Sequence, residues 1–248
     1  LIVALFSLFA CGEKEVKLPQ AELSVMKDIE DHSPIYMFFD LKNEKDTLVE
    51  VNKKNSISST NWVFNIDKRL PLKLVIPEVM KLQEKKANSS HAREGSINVF
   101  TYSDSVAKNL AFFPFTEVQF KFDKDFSKSF IKRHADQYMK YHNFTVNFKK
   151  GNAITIDGLE VGNREFVAFV KEFSDFSQDG KMVMLHLNFD KELTYGDYIQ
   201  NKILAWQATN EKVQLSSYEF IYDEKQLPQM YCNLYIIKNP ECFSGFLL

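Results

Sequence analysis

Between residues 34 and 222 the chain alternates short runs with every second residue apolar and longer runs with apolar residues at helical spacing. Ile35–Leu41 and Thr47–Asn52, joined by the charged stretch Lys42-Asn43-Glu44-Lys45-Asp46, predict a hairpin. Trp62–Ile66 and Ile97–Tyr102 predict two further strands. Between them Leu72, Val75, Val79 and Leu82 recur near the helical period. An interior proline costs a helix about 3 kcal/mol, so Pro77 predicts that this helix starts at or near that residue.

The next stretch is written twice. Val118, Phe120 and Phe122 alternate within 116–122, and Asp123-Lys124-Asp125 breaks the pattern. A helix face of Phe126, Phe130, Ala135, Tyr138 and Met139 follows, then a strand over 144–149. Later, a strand over 182–189, Asp190-Lys191-Glu192, a face of Tyr195, Tyr198, Ile199, Ile203 and Trp206, and a strand over 212–222 repeat the order. "VEVNKKNSI" (49–57) parallels "VNFKKGNAI" (146–154), and the helix of 164–176 reads as the counterpart of the Pro77 helix. The expectation is an α+β fold of two small sheet-plus-helix units with strand–helix–strand repeats. The first covers 34–148; the second covers 149–248 and ends in a C-terminal tail.

Composition agrees with a packed fold: 45% of the residues are apolar and 23 of them are Phe, enough for a core. With 31 basic against 33 acidic residues there is no electrostatic footprint for nucleic acid. Residues 1–10 are apolar but too few to span a bilayer, and read as a truncated signal peptide. Leu8-Phe9-Ala10-Cys11 resembles the bacterial lipobox, which makes Cys11 the expected lipidation site and 11–33 a lipidated tether. The expected location is the cell envelope, at the outer membrane, held by the lipid anchor alone. In that oxidising setting Cys232 and Cys242 are either a disulfide closing a small loop or two independent buried thiols. Their spacing fits no zinc motif, and no metal or cofactor is expected.

Residues 150–222 resemble the periplasmic domain of the ExbD/TolR family. The matching features are Ile156-Asp157-Gly158, a helix, a strand ending in Asp190-Lys191, and Tyr195-Gly196-Asp197-Tyr198 opening the last helix. The first unit matches more weakly, through 122–131, and lacks the Tyr-Gly. Members of that family carry a membrane helix with a protonatable Asp. This chain has a lipobox in that place and no such Asp, which removes the proton-coupling step. What the resemblance then implies is the periplasmic domain's role: forming a homodimer and binding envelope proteins or peptidoglycan.

The expected function is therefore a non-catalytic, lipid-anchored envelope protein that binds or scaffolds, associated with outer-membrane transport. Asp190, Lys191, Tyr195, Asp197 and Tyr198, together with the aromatic loop Phe112, Phe113 and Phe115, are the candidate partner contacts, beside any exposed sheet edge. A carboxylate after a strand also caps a helix, which is the structural reading of Asp123 and Asp190. Two rivals stand: an envelope hydrolase pairing these acids with Asp125 and Glu192, and a purely structural lipoprotein. No HExxH, GxSxG, P-loop or dinucleotide fingerprint supports catalysis.

Overall fold

The computed structural model describes residues 14–43, 46–122, 125–176 and 180–223. Cys11, Asp123, Lys124, Cys232 and Cys242 lie outside them. The first sheet contains β1 (Gln20–Ala21), β2 (His32–Asn43), β3 (Asp46–Asn52), β4 (Asn61–Ile66), β5 (Asn98–Asp104) and β6 (Asn109–Pro114). The second contains β7 (Gln119–Phe122), β8 (Tyr141–Lys149), β9 (Ala153–Ile156), β10 (Leu159–Val161), β11 (Met182–Asp190) and β12 (Val213–Tyr222). Helices α1 (Leu72–Ala87), α2 (Ser127–Arg133), α3 (Ala135–Tyr138), α4 (Phe166–Phe176) and α5 (Tyr195–Gln207) complete the described chain. The protein is thus mixed in α and β, with two multi-stranded sheets, and the α+β expectation holds at that level.

The two sheets share a core topology. In the first, β2 pairs antiparallel with β3 and parallel with β4, and α1 carries the chain from β4 to a parallel β5. In the second, β8 pairs antiparallel with β9 and parallel with β11, and α5 carries the chain from β11 to a parallel β12. The counterpart of α1 is therefore α5. The expected counterpart, the helix within 164–176, is α4, and nothing in the first unit answers it: residues 53–60 form turns and no return strand.

The expected division at residue 149 is displaced as well. Both β7 and β8 belong to the second sheet, where β12 and β11 separate them. The chain leaves the first sheet after β6, at Pro114. Strand neighbours are chosen by long-range backbone pairing, which leaves no mark on the local alternation that predicted each strand.

Along β11, Val183, Leu185, Leu187 and Phe189 turn to a core shared by both sheets, while Met184, His186 and Asn188 turn the other way. Helix α5 lies in that shared core: Tyr198 meets Phe189 at 4.8 Å, and Tyr195 and Tyr198 meet Phe100 of the first sheet at 5.7 and 6.0 Å between ring centres. Helix α1 likewise touches β3 of one sheet and β7 of the other. On the opposite face of the second sheet, α2 and α3 bring Phe130 and Tyr138 onto Met184 and Phe220.

Three local expectations are corrected. Helix α1 begins at Leu72, so Pro77 lies inside it. The aromatic stretch at Phe112, Phe113 and Phe115 is mostly strand β6, packed antiparallel on β5, and no loop. From Lys14 onward the expected tether lies against the first sheet and joins it at Gln20–Ala21, at Met26 and from His32. Its β1 pairs with β5, Met26 and Phe112 exchange two backbone hydrogen bonds, and Tyr102 Oη donates to the Leu23 carbonyl and accepts from the Val25 N–H.

Candidate functional site

The turn that enters α5 reads Asp190-Lys191-Glu192-Leu193-Thr194-Tyr195. The turn that enters α1 reads Asp67-Lys68-Arg69-Leu70-Pro71-Leu72. In each, the first carboxylate accepts the N–H two residues on: Arg69 N–H to Asp67 at 3.0 Å, Glu192 N–H to Asp190 at 2.8 Å. The two turns also bond each other reciprocally. Leu72 N–H donates to the Leu193 carbonyl at 2.9 Å and Tyr195 N–H to the Leu70 carbonyl at 2.7 Å. Lys73 N–H donates to the Lys191 carbonyl at 2.9 Å and Gly196 N–H to the Lys68 carbonyl at 3.0 Å. Equivalent atoms exchange equivalent bonds, so the joint is a local two-fold.

This joint explains several residue choices. First-turn helix N–H groups have no partner within their own helix, and here each turn supplies acceptors to the other. That cross-bonding also sets the start of α1 at Leu72, ahead of the proline. Gly196 permits the approach, since a Cβ there would lie 3.3 Å from the Lys68 carbonyl oxygen. Thr194 and Asp197 form a reciprocal capping box on α5. Burial pushes the Asp67 carboxyl up, but hydrogen bonds from the Arg69 side chain and the backbone N–H groups of Arg69 and Lys17 outweigh it and hold the group below its ordinary range.

The candidate contact residues consequently serve the interior. Tyr195 and Tyr198 are fully buried, and burial pushes both phenols well above their ordinary value. Asp190 is buried in the turn, Asp197 is spent in the capping box, and Lys191 pairs with Asp223 at 2.9 Å. Phe112, Phe113 and Phe115 are buried too. None of these aromatic rings is displayed to a partner: the shared core takes up Phe113, Phe115, Tyr195 and Tyr198, and Phe112 packs with Val63 and Val99 in a separate cluster of the first sheet. The proposed acid pairs are likewise engaged: Glu192 bonds Lys73 through both oxygens, and Asp125 pairs with Arg133. The partner of the Asp190 phrase is thus 66–72 and not 122–131, whose described part enters α2 on the other face of the second sheet.

Sequence reading missed three buried ionisable sites. Lys202 on α5 ion-pairs with Glu219 on β12, and Tyr198 Oη donates to the second Glu219 oxygen at 2.7 Å. Lys86 at the end of α1 donates to the Ile97 carbonyl and to Asn98 Oδ1 and lies over the Trp62 ring. Burial lowers its pKa to about 8, and it lines a cleft of about 540 Å³ with Arg93 and Lys121. His186 is fully buried beside Asn143 at 2.9 Å. The Asn143 amide nitrogen donates to the Tyr138 and Tyr141 carbonyls, so its oxygen accepts from His186 Nε2–H. That leaves Nδ1 bare and without a hydrogen-bond partner among the described residues.

Burial lowers the His186 pKa to about 4. A proton then binds the unfolded chain more readily than the folded one between that value and the ordinary 6.5. The contribution of neutral His186 is full above pH 6.5 and is lost as pH falls through 4. The expected loss is about 3 kcal/mol, since each pH unit between the two values is worth about 1.4 kcal/mol. Urea unfolding across this range should show a steeper acid slope for the parent than for His186→Gln; equal slopes would remove the assignment.

The accessible feature is the free edge of β3. Its seven residues pair only with β2 among the described residues. The Met37 carbonyl accepts from Asp67 N–H on the β4 side, so odd positions of β2 face β4 and even ones face β3. The register then turns the backbone groups of Thr47, Val49 and Val51 outward. The other outer strands are short, as β7 and β10 are, or bridged by Met26, as β6 is. An open edge of this length is a template for an added strand. No family model, no curated protein and no solved structure matches the chain.

Proposed function

We propose that this chain is a non-catalytic binding or scaffolding protein of the bacterial cell envelope, held by lipid at Cys11. It docks an extended segment of an envelope protein along β3. The free β3 edge carries the proposal: strand addition supplies main-chain hydrogen bonds without a dedicated side-chain pocket. The lipobox at 8–11 and the ExbD/TolR-like motifs of 150–222 support the setting, beside an outer-membrane transport system. The internal two-fold joint gives one chain the paired arrangement that a homodimer of single units would otherwise supply.

Val49→Pro removes an outward N–H while leaving the β2 ladder untouched. Purification of the lipidated full chain from its own envelope should recover transporter or motor subunits with the parent and lose them with Val49→Pro, at unchanged circular dichroism. Equal recovery with both chains, or recovery of no such subunit by the parent, overturns the docking mode. Cys11→Ser should shift the protein out of the membrane fraction.

A further inference from the structure

A second cleft opens where β1, α5 and the loops at Asn152 and Asn163 meet, with a volume of about 420 Å³. It lies at the opposite end of the first sheet's order from β3. Six side-chain carboxamides line it: Gln20, Asn152, Asn163, Gln200, Asn201 and Gln207. Glu22 is the single charged residue of the lining, and Ala21, Ile203 and Leu204 add an apolar strip. Asn201 is 6% exposed, yet its carboxamide makes no hydrogen bond among the described residues. Its amide atoms open onto the cleft, so their donors and acceptor are available to a ligand there.

We propose that this cleft binds a neutral oligosaccharide. A carboxamide presents a donor and an acceptor in one plane, and so does a pair of neighbouring sugar hydroxyls. Six such groups around an apolar strip suit a pyranose, whose rim is hydroxyl and whose faces carry C–H. The lining offers no cluster of cations for phosphate or carboxylate groups. The volume lies within the range of small-ligand sites and accommodates one or two sugar rings. Asn201, held in the wall with its carboxamide open to the cleft, is the residue best placed to bond the ligand. The β3 docking surface is separate, so this site stands or falls independently of it.

The test is a titration of the full chain with triacetylchitotriose, with maltotriose, and with the neutral peptide acetyl-trialanine amide, followed by backbone amide NMR. Saturable shifts confined to residues 20–22, 152, 163 and 200–207 with either sugar support the proposal. The two sugars distinguish an acetamido glycan from a plain one. Gln207→Ala and Gln20→Ala, both on the lining, should each weaken binding about tenfold while leaving the melting temperature unchanged. Asn201→Ala should abolish it. Absence of saturation by both sugars at about 10 mM, binding of the peptide alone, or full affinity in Gln207→Ala and Gln20→Ala would overturn it.

Discussion

Replacing Lys202 with Met is expected to destabilise the fold by about 3–5 kcal/mol at neutral pH. The ammonium and the Glu219 carboxylate are both buried, with side chains 1% and 3% exposed. Removal of Lys202 leaves the Glu219 carboxylate with Tyr198 as its side-chain donor among the described residues. The penalty is desolvation of an uncompensated charge. Lys202 also lies 4.8 Å from the Phe113 ring centre, which ties α5 to the first sheet by its stem and charge. Glu219→Leu on top of Lys202→Met should return most of the loss, because two apolar side chains replace the pair. A cost below about 1 kcal/mol for Lys202→Met in urea unfolding would show that the pair is not desolvated.

Phe100→Ala should cost a similar amount, about 3–5 kcal/mol, for a reason of packing. Phe100 is fully buried on β5 and stacks on Phe115 at 3.7 Å, with Phe64 at 6.2 Å, all in the first sheet's layer. Its other neighbours, Tyr195 and Tyr198, come from α5 of the second unit. One truncation therefore opens a cavity in a core that both units share. The expected melting curve is a single transition at lower temperature, and Phe100→Ala combined with Tyr195→Leu should depart from additivity by more than about 0.5 kcal/mol. Two separate transitions, or strict additivity, would mean that the sheets keep independent cores.

Both predictions depend on a feature hidden from sequence reading. The Asp-Lys-acid phrase at 190–192 was legible as a strand-to-helix turn, and Asp190 does cap that turn. Its apparent twin at 123–125 shares the same pattern of letters, whereas its structural partner, Asp67-Lys68-Arg69-Leu70, has a basic residue in the acid's place and a proline where Thr194 stands. The shared requirement is a carboxylate at the turn and a leucine three positions on, a signal too short to weigh against a closer match in letters. Lys202 and Glu219 stand on a helix and a strand, 17 residues apart in the chain. Only their opposition across the core made them a pair. His186 is buried with one nitrogen bare among the described residues, which no pattern of neighbours in sequence reveals.

Periodicity by itself determined where most strands and helices lie, because apolar spacing of two or near 3.6 residues reflects which face of an element must leave water. It determined that β2 and β3 form a hairpin and that Tyr195, Tyr198, Ile199 and Ile203 share one face of α5. Composition determined that the chain can build a core and that its charges nearly balance, 31 basic against 33 acidic. Tertiary structure decided which strands are neighbours, which turn answers which, and that the residues after Lys14 join the first sheet. It also decided that the tyrosines of the last helix face inward between two sheets. The physical reason is common to all four: each rests on hydrogen bonds and contacts between residues far apart in the chain, and their geometry is settled by the closing of the whole fold.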